Sequence, residues 1–514
     1  MQFIKRYGGF FLLLFLIPSF FNFSACRKEE PTYDKSQVRL IFSQDTVKFD
    51  TIFTTLYTIT KRITVKNPSK NAIKISNIHL EGGFSSRFRI NVNGDTSMVV
   101  HNVIVAAKDS FFIFVKAAIN YQDKNNPIEI IDHIVLEMDQ ETHQKIVLVA
   151  WGQDAHYWQS NLIHKIPYPN TLSPNKIDTL YMPYFYWDPK NTLNSEKPYI
   201  IYGYLTVRPG DVLKIPAGVK IYFAPNSGIW VQNQGSLQIN GTLTQAVRMQ
   251  GIRLDADYKN EAGQWGRIWL SGESRDNKID YAIIKNGSIG VCVDSTTSSN
   301  SNLTIYNTII ANMSQYGILA TQSRVIGANL VIGNCQTALS LQQGGKYDFT
   351  QCTFTNYYAK NPSGAFSLSM SDYVIRGTEK QSYVFENANF VNCIFYGNNT
   401  DQILFDFVKA ETKPYYFDHC ILRQNIPNPG NLFSSCRFNT NPLFKDTKGF
   451  NFEIDTISSP TVHAGNSNGA IGVAEYDIKG IRRSGLPTIG AYEFVEKLPG
   501  KATSFPFLFR RPRS

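Results

Sequence analysis

Apolar and polar residues alternate in short runs along most of the chain, and turn residues separate the runs. Between residues 38 and 155 the pattern is clear at 59–65, 111–115 and 146–149, with Asn67 and Pro68 in one of the turns. A period of two in short runs predicts β-strands that bury one face. The density of turns and the length of the segment predict a β-sandwich.

From residue 199 onward the runs shorten to three to five residues, as at 205–207 and 219–223, and Pro-Gly or Asn-Gly turns punctuate them. Further along, a small residue is followed by apolar positions and, four or five residues on, by Asn. The equivalent positions are Ala282, Thr308, Asn329, Cys352, Cys393 and Cys420, with steps of 26, 21, 23, 41 and 27 residues. The steps of 26, 21, 23 and 27 residues match one coil of a parallel β-helix, and the step of 41 predicts an enlarged coil. Propeller blades would recur at a steadier interval of about 40 to 45 residues.

Stacked coils explain the residue types of this repeat. Asn tolerates the left-handed bend between strands, and its amide can bind the Asn of the next coil. Cys352, Cys393 and Cys420 would share one interior column, where we expect buried free thiols, with disulfides as the alternative. No Cys-x-x-Cys or histidine pair accompanies them, and His133 and His143 have no spaced partner. The sequence therefore predicts neither a metal site nor a cofactor.

The amino terminus has the pattern of an export signal. Lys5 and Arg6 precede an apolar stretch at 10–23 that is too short to span a membrane, and Ser24-Ala25-Cys26 follows. This arrangement resembles the lipobox of Gram-negative lipoproteins. The resemblance implies a signal peptide at 1–25, lipid on Cys26, a tether at 26–37 and an outer-membrane location. Lys28-Glu29-Glu30 resembles a surface-export signal, so we expect display at the cell surface, with the periplasmic face as the alternative.

The repeat region also resembles a known architecture. Residues 205–241, 263–268 and the Asn-Cys coils are similar to right-handed parallel β-helix repeat proteins of bacterial surface lipoproteins and pectate-lyase-like folds. Residues 38–155 resemble Ig-like modules of the abnormal-spindle and hydin kind. The expected fold is all-β, with an N-terminal Ig-like β-sandwich followed by a right-handed parallel β-helix. The expected segments after the sandwich are a linker or cap at 156–198, the β-helix at 199–440, a closing module at 441–495 and a basic tail at 496–514.

Composition changes this picture little. The chain of 514 residues has a net charge of +10, which falls to +8 when Lys5 and Arg6 leave with the signal. Part of the remaining excess lies in the tail. We expect no nucleic-acid partner for an exported lipoprotein; an anionic polysaccharide or lipopolysaccharide is the expected acidic partner. The sequence does not predict an oligomeric state.

Enzymes of the resembled fold carry recognisable acidic and histidine motifs. Here Asn399-Thr400-Asp401 matches one of them alone, and the chain has no Asp-Asp or Gly-His-Gly. No catalytic residue is predicted. Loops extruded from a solenoid often bind ligands, so the enlarged region supplies the candidate binding residues Tyr373, Arg376, Asp401, Asp406 and Lys409. Trp265 and Trp269 could be sugar platforms or packing residues.

Two functions are compatible with these sequence features. The favoured one is a lipid-anchored envelope protein that binds polysaccharide or has a structural or adhesive role. The alternative is a polysaccharide lyase or glycoside hydrolase with a diverged site.

Overall fold

The structure is a computed structural model that describes residues 39–53, 60–117, 128–139, 142–169, 177–255, 258–296, 302–357, 364–376, 378–408, 414–426 and 430–496. Cys26, Lys409, the predicted signal peptide and tether, and residues 497–514 of the predicted tail lie outside the described residues. The described residues form two compact units, 39–117 with 128–152, and 153–496. Strands dominate both units, so the predicted all-β fold is confirmed.

The first unit contains two sheets. In spatial order, the four-stranded sheet consists of Ile41–Phe42, Lys61–Lys66, Ser110–Ala117 and Phe88–Val92. The five-stranded sheet consists of Thr46–Phe53, Thr142–Gln153, Ile128–Asp139, Ile73–Leu80 and Val99–Val105. A 3-10 helix, Gly83–Ser85, follows one of these strands.

Both sheets of the first unit contribute to one apolar core. Ile113 and Val115 come from the smaller sheet, and Ile78, Leu136 and Leu148 come from the larger one. Residues 110–117 alternate strictly between exposed and buried positions, as the period of two predicts. The packing of two antiparallel sheets around a shared core is that of a β-sandwich.

The second unit is a parallel β-helix with three ladders of stacked strands. In spatial order, ladder A consists of His156–Gln159, Tyr199–Tyr202, Lys220–Phe223, Val247–Gly251, Ala282–Lys285, Ile309–Ala311, Val331–Gly333, Thr353–Asn356, Ile394–Gly397, Ile421–Leu422 and Arg437–Phe438.

Ladder B begins with an antiparallel hairpin and continues with parallel strands. It consists of Leu162–Pro169, Ile177–Tyr186, Tyr204–Val207, Gly228–Val231, Trp265–Leu270, Gly287–Val293, 316–321, 337–342, Phe366–Ser371 and Ile403–Asp406. Ladder C consists of Val212–Pro216, Ser236–Asn240, Asn277–Asp280, Leu303–Tyr306, 323–328, 345–350, Phe385–Val391, Tyr415–Asp418 and Phe433–Ser434. Two long strands, Tyr316–Ala328 and Thr337–Thr350, run through both ladders.

The chain passes from A to B to C in each full coil. The aligned positions Ile283, Ile309, Val331, Thr353, Ile394, Ile421 and Arg437 in ladder A give steps of 26, 22, 22, 41, 27 and 16 residues. The 41-residue coil carries an extra antiparallel hairpin, Tyr373–Arg376 with Glu379–Ser382. The alignment of Asn329 with Cys352 from the sequence was wrong. Val331 pairs with Thr353, so Leu330 lies beside Cys352, and Asn329 occupies the left-handed bend before the strand.

The interior of the β-helix is filled by Leu, Ile, Val and Phe side chains from all three ladders. Near the carboxyl end Phe390, Phe417 and Phe433 stack in one column, with ring centroids 4.7 and 5.1 Å apart. Cys352, Cys393, Cys420 and Cys436 form the neighbouring column through the register of ladder A. All four are free thiols.

Asparagines at the bends between ladders A and B have the predicted conformation. Asn286, Asn312 and Asn334 have φ of 66, 58 and 55°. The amide of Asn312 donates to Asn286 at 3.3 Å, and that of Asn334 donates to Asn312 at 3.4 Å. The left-handed bend and the amide ladder therefore recur from coil to coil.

Residues 441–495 pack along the outer side of ladder A. They contain the paired strands Phe444–Asp446 and Asn451–Ile454 and the 3-10 helices Ser467–Gly469 and Gly472–Glu475; a further 3-10 helix, Gly430–Leu432, precedes them. Their apolar side chains contact outward residues of ladder A over several coils. Within the described residues, no helix has the length and apolar character needed to cross a bilayer.

Candidate functional site

The outward side of ladder B carries the most distinctive surface of the β-helix. Leu205 and Val207 point into the core, so the alternate positions of each strand point outward. One row at these positions consists of Tyr186, Thr206, Trp230, Trp269, Cys292, Leu319, Ser340, Ser369 and Leu404, of which Thr206, Cys292 and Ser340 are buried and the others at least partly exposed. We call this row and the side chains beside it the ladder B face. Six coil steps of about 4.8 Å make it roughly 29 Å long from Trp230 to Leu404.

One end of the ladder B face is aromatic. Trp230 and Trp269 stack with centroids 5.2 Å apart and planes at 14°. His164 lies 5.1 Å and Tyr184 5.8 Å from the Trp230 ring, and Tyr184 lies edge-on to Tyr186 at 5.4 Å. All five side chains are partly exposed. Because the strands are in register, five aromatic residues from distant parts of the sequence form one surface. We call it the aromatic end.

Two arginines border the aromatic end. The guanidinium of Arg208 lies 4.2 Å from the Tyr186 centroid, and that of Arg267 lies 5.6 Å from the Trp269 centroid. Cation–π contacts of this kind hold a guanidinium in place while leaving N–H groups for a ligand. Arg208 is exposed. The aromatic end thus combines apolar ring surface with positive charge.

The polar groups of the two indoles are already bound by the protein. Trp269 Nε1 donates to Asp294 Oδ2 at 2.6 Å, and Trp230 Nε1 donates to Ser271 Oγ at 3.1 Å. Burial raises the pKa of Asp294, although the bond from Trp269 and the charge of Arg267 oppose this shift. Burial also raises the pKa of the Cys292 thiol, to about 12. Cys292 therefore stays protonated at neutral pH and offers no nucleophile.

The other end of the ladder B face carries the extra hairpin. Tyr373 Oη donates to Asp406 Oδ2 at 2.5 Å, and Lys380 Nζ lies 3.8 Å from Asp406 Oδ1. The ammonium of Lys380 lies 3.9 Å from the Tyr373 ring centroid. Asp372, at the base of the hairpin, accepts from the backbone N–H of Val408 at 2.8 Å. We call Tyr373, Lys380 and Asp406 the hairpin end.

The structure separates the predicted binding residues. Tyr373 and Asp406 are in contact, whereas Asp401 precedes the strand Ile403–Asp406 and accepts from the backbone N–H of Asn425 at 2.9 Å. Arg376 is exposed near the tip of the hairpin. Lys409 lies outside the described residues. The five residues are therefore not one constellation in the part of the chain that the structure describes.

The chemistry of the hairpin end suits binding better than proton transfer. The hydrogen bond with Tyr373 raises the pKa of Lys380, whereas a lysine base needs a lowered pKa. Asp401 and Asp406 bond to different partners, whereas a pair of acid and base carboxylates must face the same bond. In the Asn399-Thr400-Asp401 string, the Asn399 amide donates to the Ala365 carbonyl at 2.9 Å, so this segment ties neighbouring coils together.

The two tryptophans considered from sequence have different positions. Trp265 is 1% exposed and stacks on Phe223 in the core at 4.5 Å, whereas Trp269 lies on the ladder B face. Sequence reasoning missed His164, Tyr184, Tyr186, Trp230, Arg208 and Arg267. The alternation around Trp230, between buried Ile229 and Val231, indicates an outward tryptophan. Only the register shows that it meets Trp269 from the next coil.

Comparison with known proteins supports the architecture of this region. Residues 186–291, which contain most of the aromatic end, match the family model of a pectate-lyase-like β-helix domain. No curated protein matches the chain significantly.

Solved structures align with small parts of the chain. A family 123 glycoside hydrolase from Clostridium perfringens, from a study of glycolipid glycan hydrolysis, aligns at 11% identity over 23% of this chain and 26% of that one, with a TM-score of 0.16. The PapD-like domain 7 of human CEP192 aligns at 12% identity over 26% and 98%, with a TM-score of 0.17. The periplasmic chaperone SfaE aligns at 14% identity over 22% and 57%, with a TM-score of 0.16. Similarity at this level does not define a shared overall fold.

Proposed function

We propose that this chain is a lipid-anchored protein of the bacterial cell envelope that binds polysaccharide along the ladder B face. The observation that carries the proposal is the aromatic end, where Trp230 and Trp269 stack beside two arginines on an outward surface. Partly exposed aromatic rings with polar groups at their edges are typical of surfaces that bind amphipathic ligands such as sugars. The match to a pectate-lyase-like β-helix domain is consistent with a polysaccharide ligand.

The charges favour an acidic polysaccharide. Arg208 is exposed and held against the Tyr186 ring, so it can pair with a carboxylate or sulfate. Arg267, in contrast, is partly buried, bonds to Tyr204 and adds positive charge behind the rings. Asp294 is partly buried, accepts from Trp269 and lies close enough to Arg267 for the charge of the guanidinium to offset its own. At the hairpin end, Lys380 adds a cation that faces the Asp406 carboxylate at 3.8 Å.

A binding experiment on the full chain tests this function. We expect a glycan array to show binding to uronic-acid or sulfated polysaccharides, and Trp269→Ala and Arg208→Met each to weaken that binding about tenfold or more, roughly 1.4 kcal/mol. Arg482→Met and Tyr416→Ala are matched controls, because Arg482 is exposed in the segment 441–495, which packs on ladder A, and Tyr416 is exposed on ladder C. Equal loss in the controls, or no glycan bound by the wild type, would contradict the proposal.

The anchor is tested separately. We expect labelled fatty acid to enter the protein through Cys26 and Cys26→Ala to abolish the label. Protease shaving of intact cells then distinguishes the cell surface from the periplasmic face of the outer membrane. Label that persists in Cys26→Ala would defeat the anchoring proposal without affecting the glycan site.

A further inference from the structure

Three potential metal ligands meet at one end of the five-stranded sheet of the first unit. Glu81 directly follows the strand Ile73–Leu80, and Asp132 and His133 are adjacent in Ile128–Asp139. The backbone N–H of Glu81 donates to the His133 carbonyl at 2.9 Å, so the pairing of the two segments fixes the cluster. One ligand atom from each of the three side chains lies within 4.8 Å of the other two.

Asp132 supplies an independent indication of a ligand. It is 8% exposed. Its Oδ1 accepts from the backbone N–H of Gly82 at 3.0 Å and of His133 at 2.7 Å. Its Oδ2 is buried and has no hydrogen-bond partner. A buried carboxylate oxygen without a partner is costly, because it has lost its water and gained no donor. A cation in the cluster would supply the missing interaction.

The donor set indicates the kind of cation. Two carboxylates and one imidazole suit Zn²⁺, whereas Ca²⁺ and Mg²⁺ prefer shells made of oxygen. In a tetrahedral zinc site, bonds of about 2.0–2.1 Å place ligand atoms about 3.3 Å apart. His133 Nδ1 and Glu81 Oε2 are hydrogen-bonded at 2.7 Å, so this contact must open by about half an ångström to admit the ion. Glu81 is 46% and His133 31% exposed in the side chain, which leaves an entry path and room for a water ligand.

We infer that Glu81, Asp132 and His133 form a binding site for a divalent transition metal such as Zn²⁺. His133 binds through Nδ1 with its proton on Nε2, and each carboxylate provides one oxygen. The sequence alone predicts no metal site here, because no second ligand residue follows or precedes His133 at a spacing typical of metal-binding motifs. Glu81 lies far from His133 along the chain and meets it only through strand pairing.

Lys145 gives the inference a distinctive consequence. Its Nζ lies 2.5 Å from Glu81 Oε1, so it competes for one ligand and adds a positive charge beside the ion. Removing this charge should strengthen metal binding. If the cluster only ties the turn to the sheet, replacing Lys145 would lower the stability of the unit and would not raise its affinity for zinc.

The experiment measures zinc bound by the full purified chain, by equilibrium dialysis and elemental analysis, with Co²⁺ absorption as a second readout. We expect the wild type to bind one Zn²⁺. His133→Gln and Glu81→Gln should each weaken zinc binding at least tenfold, and Lys145→Met should bind zinc more tightly than the wild type. His79→Gln is the matched control, because the His79–Glu137 pair at 3.2 Å lies on the same sheet. The inference would be overturned if the wild type bound no zinc, or if His133→Gln bound zinc as tightly as the wild type. It would also be overturned if His79→Gln weakened zinc binding as much as His133→Gln does.

Discussion

At the scale of single residues, the bends of the β-helix are the features that the sequence predicts best. Asn at the bends between coils predicts left-handed backbone and side-chain ladders, and Asn286, Asn312 and Asn334 have both. Asn392 differs because its amide bonds to the segment 441–495 rather than to an Asn ladder. Its Oδ1 accepts from the Asn466 N–H at 2.7 Å, and its Nδ2 donates to the Asn466 carbonyl at 2.8 Å. Local pattern predicts the conformation of such a residue, but its partner comes from tertiary structure.

Substitution of Asn392 separates these two roles. Asn392→Gly loses both bonds to Asn466, each worth about 0.5–1.5 kcal/mol, but accommodates the φ of 54°. Asn392→Ala loses the same bonds and adds a left-handed penalty of about 1–2 kcal/mol. We expect the midpoint of urea unfolding of the β-helix to fall in both variants, further in the alanine variant. Asn398→Ala, at an exposed position, is the control; equal midpoints for Gly and Ala would contradict the conformational role of Asn392.

At the scale of elements, the column of cysteines follows from the register of ladder A. The sequence placed Cys352, Cys393 and Cys420 in one column, and the structure adds Cys436. Cys436 was missed because its coil is only 16 residues long, shorter than the other steps of the repeat. The sequence predicts buried free thiols for these cysteines, with disulfides as the alternative. In the structure they are free thiols whose sulfur atoms lie near backbone carbonyls, as for Cys352 and Thr350 at 3.3 Å.

Thiol labelling tests the state of these cysteines. We expect Cys335, Cys352, Cys393 and Cys420, all fully buried, to resist alkylation in the native protein, since burial also raises the pKa of Cys335 to about 12. Cys436 is partly exposed and should react first. After unfolding without reductant, mass spectrometry should find all of them alkylated. Peptides that become alkylated only after reduction would show disulfides instead.

At the scale of the whole molecule, the sequence predicted more of the fold than of the candidate site. Alternation and turn spacing within each segment are enough to predict the sandwich and the stacked coils. The aromatic end requires residues from His164 to Trp269 to be in register across coils of unequal length, and no local pattern contains that information. Of the candidate binding residues, the structure brings Tyr373 and Asp406 into contact, whereas Asp401 bonds to a different neighbour; their role in binding stays a prediction.

The segment 441–495 depends on one buried arginine. Arg483 donates to the carbonyls of Ala474, Tyr476 and Gly490 at 3.0, 2.7 and 3.1 Å and lies 3.6 Å from Glu493. Arg483→Met leaves these groups unpaired, which costs about 3–5 kcal/mol. We expect faster hydrogen exchange throughout residues 441–495. Arg482→Met is the matched control, because the Arg482 side chain is 70% exposed; similar exchange in both variants would contradict this role.

The most direct test of the proposed function is to locate the bound glycan by covalent footprinting of the full chain at saturating oligosaccharide. We expect protection of Trp230, Trp269 and Tyr186, with protection extending toward Tyr373 for longer oligosaccharides. Residues of the groove between ladder C and the segment 441–495, such as Ile326 and Ile471, should be labelled equally with and without ligand. Protection of that groove, with the aromatic end unchanged, would contradict binding along the ladder B face.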